Sequence, residues 1–142
     1  MNETEKSLFE LVGGRPTLEK VHKIFYDKVY AHPSLLPFFE GTNREVIERQ
    51  QTDFAASQMG GNVIFSGKTP FSCHQRMFIT QEHFDLRNTL LRESLREFGV
   101  PDELAERWLR LGEAFAKKIV KSDISECQTR YKTEKILTAP LP

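Results

Sequence analysis

A chain of 142 residues with 20 basic and 20 acidic side chains has no net charge, and no basic stripe marks it as a nucleic-acid binder. Its length suits one domain, and at this size folding hides roughly 68% of the surface of the unfolded chain, enough for a core without disulfide staples. The two cysteines, Cys73 and Cys127, form no zinc or redox motif, no stretch is apolar for long enough to cross a bilayer, and the polar start MNETEKSLFELVGG is no signal peptide. The expectation is a soluble, reduced, cytoplasmic protein.

Helical periodicity dominates, and the run Asn62–Phe65 is the only strand candidate. A short helix is expected from Glu5 to Val12, stopped by Gly13-Gly14. Thr17 is expected to cap a second helix to Ala31, with Leu18, Val21, Phe25 and Val29 at spacings of three and four, ended by His32-Pro33. Ser34–Phe39 reads as a tight apolar turn of helix, and Gly41 breaks it. A third helix runs from Asn43 to Gln58 before Gly60-Gly61. A loop with Gly67 and Pro70 leads to a short helix at Phe71–Gln75. Thr80 then caps a long helix to Phe98, closed by Gly99. Pro101-Asp102 opens a last helix with the stripe Leu104, Trp108, Leu111, Phe115 and Ile119. The fold class is all-α, with one domain over residues 1–121 and a polar tail over 122–142 expected to be mobile. The long irregular middle is unusual in a small domain and points to function.

Few residues invite chemistry. His74 lies among apolar neighbours in Phe71-Ser-Cys-His-Gln-Arg-Met-Phe-Ile79 and is read either as a satisfied core histidine or as a metal ligand. Ile47, Gln51, Phe54 and Gln58 share one face of the third helix, which sets the Gln51 amide in an inward stripe. Left without a partner there, it would cost about 1–3 kcal/mol. Tyr26, beside Phe25, raises the same question for its hydroxyl. His22 is read as core or exposed, His32 as a loop residue and His83 as packing or capping. The pair Phe38-Phe39 sits in a bend before Gly41-Thr42-Asn43 and is either core or an aromatic wall against a flat cofactor. No nucleophile with a base, paired-carboxylate site, phosphate loop or zinc motif competes.

Together these residues resemble a truncated haemoglobin. The resemblance runs from Leu8 to Lys121 through Leu11-Val-Gly-Gly14, Ile24-Phe-Tyr-Asp-Lys-Val29, Leu36-Pro-Phe-Phe-Glu-Gly-Thr-Asn43, Gly60-Gly61, Phe65-Ser-Gly67, His74, Ile79-Thr80, His83-Phe-Asp85 and Gly99-Val100. It implies a two-over-two helical sandwich around haem b. By position it makes His74 the proximal iron ligand, Phe39 the ring packed on the haem, and Tyr26 and Gln51 the distal polar residues. Ile47 stands where other globins often have a distal histidine. Phe38 and Phe54 belong to the haem pocket, Thr42 and Asn43 lie where relatives approach a propionate, and Phe65, Phe71, Ile79 and Phe84 line the proximal side and haem edge. Phe65 replaces a tyrosine common in close relatives. The Gly-Thr-Asn stretch and the distal pair resemble the first of the family's three groups. The other two carry a tryptophan thirteen positions after the proximal histidine, and the first an aliphatic residue. Arg87 at that position fits none of them and is read as turning outward or reaching a propionate.

The resemblance implies reversible binding of O2, NO and CO at ferrous iron, with nitric oxide dioxygenation as the chemistry and an external reductase as partner. A haem-based sensor or scavenger without turnover is the alternative, and a helical interaction module without haem is a third reading.

Overall fold

The structure, a computed structural model, describes residues 6–61 and 74–142. The strand candidate at Asn62–Phe65, most of the short helix at Phe71–Gln75, and the residues Phe65, Phe71 and Cys73 lie outside the described residues. Helices α1 (Leu8–Val12), α2 (Gly14–Tyr30), α3 (Arg44–Gln58), α4 (Gln81–Phe98), α5 (Asp102–Glu113) and α6 (Ala116–Ile119) follow in chain order, with 3-10 turns at Leu36–Phe39 and Ile124–Glu126. Among the described residues there is no strand, only isolated bridges from Met77 to Leu137 and from Ile79 to Val120.

Helix α2 organises the molecule. It packs on α3 and on α4, α4 packs on α5, and α1 closes one end against α2 and α5. The α2–α3 pair thus lies over the α4–α5 pair. The core is the inward stripe of each helix: Leu18, Val21, Phe25 and Val29 from α2, Leu91 and Leu95 from α4, and Trp108 and Leu109 from α5.

Local chemistry sets the ends. The side chain of Asn43 accepts from the Val46 N–H to start α3. Thr80 and His83 form a capping box at the head of α4, and Gly99 ends that helix at φ +100°, where a side chain would be strained. Two expectations are corrected. Thr17 does not cap α2: the helix begins at Gly14, after Gly13 at φ +112°, and Thr17 is buried within it. The last helix is also not continuous, since α5 stops at Glu113 and the chain re-forms a single turn at Ala116–Ile119.

The segment after Lys121, read as a loose polar tail, lies against residues 74–80. The Leu137 N–H donates to the Arg76 carbonyl (2.7 Å), its carbonyl accepts from Phe78 N–H (2.9 Å), and Gln128 N–H donates to Gln75 (2.7 Å). Leu137 is only 3% exposed, and Glu134, also buried, pairs with Arg130 and faces Arg76 at 3.8 Å. The physical reason is local. Residues 74–80 are non-helical for the most part, so their polar backbone groups take partners from elsewhere in the chain, and the tail supplies them.

Candidate functional site

Between these elements lies a cavity of about 240 Å³, walled by α2, the Leu36–Phe39 turn, α3, the 74–80 segment, the first half of α4 and the α5–α6 junction. It gathers Tyr26, Phe38, Phe39, Thr42, Ile47, Gln51, Phe54, His74, Ile79 and Phe84 in one lining. Asn43 is not in that lining; its side chain faces the α3 backbone as the cap described above. The roles inferred for Phe65 and Phe71 lie outside the described residues.

Helix periodicity delivers the polar groups. Tyr26 is buried on the inward face of α2, one residue from Phe25 (ring centroids 4.9 Å) and edge-on to Phe39 (6.0 Å) and Tyr30 (6.3 Å), so the phenol has little freedom. Burial pushes its pKa well above the ordinary tyrosine value, with the charge of Arg87 pulling the other way, and the hydroxyl keeps its proton. Gln51 sits on α3 between Ile47 and Phe54, half-buried at the cavity wall. Among the described residues no hydrogen bond joins Tyr26 to Gln51.

Two histidines reach the cavity. In His83, Nε2 lies 2.9 Å from the Pro140 carbonyl, which can only accept, so Nε2 carries the proton. Nδ1 then accepts from Thr80, whose N–H is 3.1 Å and hydroxyl 2.9 Å away. Both ring nitrogens are thereby engaged, as the capping reading expected. His74 is the other. It enters from the irregular segment, and its carbonyl accepts from Lys121 Nζ at 2.6 Å. Lys121 Nζ also donates to the Met77 carbonyl (2.8 Å), and its backbone N–H donates to Ile79 (2.8 Å), so one residue ties down this stretch at three points. The remaining histidines stand apart. His22 is buried in the core, its Nδ1 2.8 Å from the Thr52 hydroxyl and its ring edge-on to Trp108, while His32 Nδ1 accepts from the Ser34 N–H.

Sequence reasoning missed part of the wall. Val29 and Leu35 belong to it, as do Met77, Phe115 and Ile119. Phe115 and Ile119 lay on the recognised stripe of the last helix, but that stripe alone gave no sign of facing a cavity rather than a core. Arg87 is also there. It does not turn outward, but stacks over the Phe25 ring (5.4 Å) and lines the cavity beside Gly112.

A family model for the bacterial-like globins matches residues 7–121. The chain belongs to that family. Its relatives include a Group 1 truncated hemoglobin of Tetrahymena thermophila, 30% identical over 123 residues that span 87% of this chain and 95% of that one. Another is the Group 1 truncated hemoglobin GlbN of Mycolicibacterium paratuberculosis, 36% identical over 97 residues, or 68% of this chain and 71% of the relative. Among solved structures, the truncated hemoglobin of Tetrahymena pyriformis in its Fe(III) form superposes with a TM-score of 0.77 at 28% identity, covering 82% of this chain and all of that one. The fold is the two-over-two helical globin arrangement, and the cofactor is haem, through which a globin binds O2 and other small ligands.

The residues present fit that group. A mainly aromatic and aliphatic slot suits a flat apolar ring, and an imidazole in its wall suits iron. Tyr26, a buried residue in the same lining, carries a hydroxyl able to donate a hydrogen bond to a ligand.

Proposed function

We propose that the chain holds haem iron through His74, binds O2 on the side served by Tyr26 and Gln51, and converts nitric oxide to nitrate. The observation that carries this reading is a single cavity lined by His74, a buried phenol that keeps its proton and an amide donor. Ferrous haem supplies a coordination position for O2 and leaves the bound ligand with partial negative charge. The tasks of the chain follow from that charge. Tyr26 donates from its hydroxyl and Gln51 from its amide NH2, so the ligand is stabilised by fixed dipoles that need no reorganisation. Phe38, Phe39, Phe54 and Phe84 keep the slot apolar, which strengthens those hydrogen bonds and excludes bulk water. Thr42, at the open edge with its hydroxyl donating to the Phe39 carbonyl (2.6 Å), and the neighbouring Asn43 belong near the haem carboxylates.

The net change is O2 plus NO plus one electron giving nitrate, an electron that bound ferrous haem would supply. A one-electron reductase must restore it, which fits a cytoplasmic setting with reducing partners. The direct test is rapid mixing of the O2-bound protein with NO, followed by steady turnover with a supplied reductant. Stoichiometric nitrate and repeated cycles are expected. Loss of the O2 spectrum without nitrate would assign the protein to ligand sensing or scavenging instead.

A further inference from the structure

Arg87 projects from α4 into the cavity and stacks over the Phe25 ring, and one Nη donates to Asn88 Oδ1 (2.9 Å). Room for the guanidinium comes from Gly112 on α5. A Cβ at that position would lie 3.1 Å from Arg87 Nη1, tight enough that the guanidinium would have to shift by a few tenths of an ångström. No carboxylate among the described residues pairs with Arg87, and no described residue lining the cavity is acidic. The nearest acidic influence on this wall is Glu48, which is engaged by Arg44 at 2.8 Å.

An arginine stays charged even when its surroundings disfavour the charge, as the burial of Arg87 does. Placing such a group in an apolar cavity without a counter-ion is costly, and replacing it with an apolar residue of similar size is often neutral or stabilising. Among the described residues, the cavity therefore holds a positive charge that acts on Tyr26 and no acidic lining side chain to meet it.

We propose that Arg87 makes this cavity selective for small inorganic anions, holding them next to Tyr26 in the space where the diatomic ligand binds. The guanidinium offers several N–H donors beyond the one given to Asn88, and a small anion in the cavity can meet them. This inference rests on the placement of the ligand beside Tyr26, but not on nitric oxide turnover.

The probes are azide, an anion, and imidazole, a neutral ligand of comparable reach, each titrated into the ferric haem-loaded protein and followed in the visible spectrum. Arg87→Leu is expected to weaken azide roughly 10- to 150-fold, the range for a hydrogen bond to a charged group, with imidazole within about twofold of wild type. Arg87→Lys keeps the charge and should fall between the two. The infrared stretch of bound azide should shift in Arg87→Leu, which a purely structural role would not produce. Tyr26→Phe, measured alongside, separates the two readings: if it changes neither ligand, the placement beside Tyr26 fails, whatever Arg87 does. Unchanged azide affinity in Arg87→Leu overturns the proposal. Equal weakening of azide and imidazole does so too, as does loss of haem with intact azide binding in the remainder, which would make Arg87 an anchor for a haem carboxylate.

Discussion

The wall of the cavity that carries Tyr26 and Gln51 consists of two long helices, α2 and α3, packed on each other, whereas the wall that carries His74 is the largely irregular 74–80 segment held from outside. In the first, each side chain is aimed by the helical repeat and the backbone is satisfied within its own element. In the second, backbone partners come from Lys121, Gln128 and Leu137, more than forty residues later in the chain. The difference teaches how each wall of the cavity is fixed in place. Tyr26 and Gln51 are placed by local periodicity, and the segment that carries His74 is placed by long-range tethering from Lys121, Gln128 and Leu137, at and beyond the end of the 7–121 region matched to the globin family.

The largest effect should come from the imidazole itself. His74→Ala is expected to lose haem, or to give ferric and ferrous spectra that added imidazole restores. Spectra identical to wild type would remove His74 as the ligand and with it the contrast between the walls. The tether comes next. A mobile tail over 122–142 would make deletion of residues 129–142 harmless to haem binding, but the contacts of Leu137 and Glu134 predict faster haem loss. Leu137→Ala isolates the packing part. Truncating a buried leucine costs about 2–5 kcal/mol, and the lower end suits a site near the surface. Urea unfolding measures that cost, and haem transfer to a competing apoprotein measures the proximal side. If both match wild type, the tail is only laid against the segment and does not support it.

The same contrast explains what the sequence made legible. Ile47, Gln51 and Phe54 could be placed on one face because α3 is regular from Asn43 onward, and the Thr80 and Gly99 boundaries of α4 follow from side-chain and backbone chemistry within a few residues. Tethering leaves no periodic trace. Leu137 is one apolar residue in a polar stretch, and its backbone hydrogen bonds to Arg76 and Phe78 do not depend on residue type. The break between α5 and α6 was hidden because the apolar stripe from Leu104 to Ile119 continues across it. Arg87 lies against Gly112 and over the Phe25 ring, both on other helices, and such long-range contacts leave no local pattern. The common motifs of the family carried His74, Tyr26 and Phe39 into the candidate site, where residue chemistry alone left alternatives open.

On the helical wall, removing one donor should speed O2 release. A hydrogen bond to a charged group contributes about 1.5–3 kcal/mol, or roughly 10- to 150-fold in rate when it acts wholly on dissociation. Stopped-flow release from Tyr26→Phe, Gln51→Leu and the double variant checks this. The effects should be non-additive because both donors serve one ligand. Three wild-type rates would show that the helical wall does not hold the ligand, and a fast Tyr26→Phe alone would leave Gln51 to orient the phenol.

The smallest expected effect tests how the two helices of that wall are joined. His22 of α2 is 1% exposed and hydrogen-bonded to Thr52 of α3. Burial, reinforced by the charge of Arg87, lowers its pKa from 6.5 to about 3. The unfolded chain therefore takes up a proton below pH 6.5 that the folded chain refuses until about pH 3, and stability must fall as pH falls through that window. The slope for one such group is about 1.4 kcal/mol per pH unit, or about 2 kcal/mol between pH 6.5 and 5. Above pH 6.5 the group contributes no slope. Glu134, whose carboxyl is lowered from 4.5 to about 2 chiefly by its hydrogen bonds with Arg130, acts in the same direction but only from pH 4.5 downward, so the range above pH 4.5 belongs to His22 alone of the two. Urea unfolding of wild type and His22→Gln at pH 7, 6 and 5 makes the comparison. The variant keeps a polar group toward Thr52 and cannot titrate, so its stability should be nearly flat across that range while wild type loses about 2 kcal/mol. An equal slope in both proteins would place the acid sensitivity elsewhere, and the helical wall would then be no more vulnerable to acid than the tethered one.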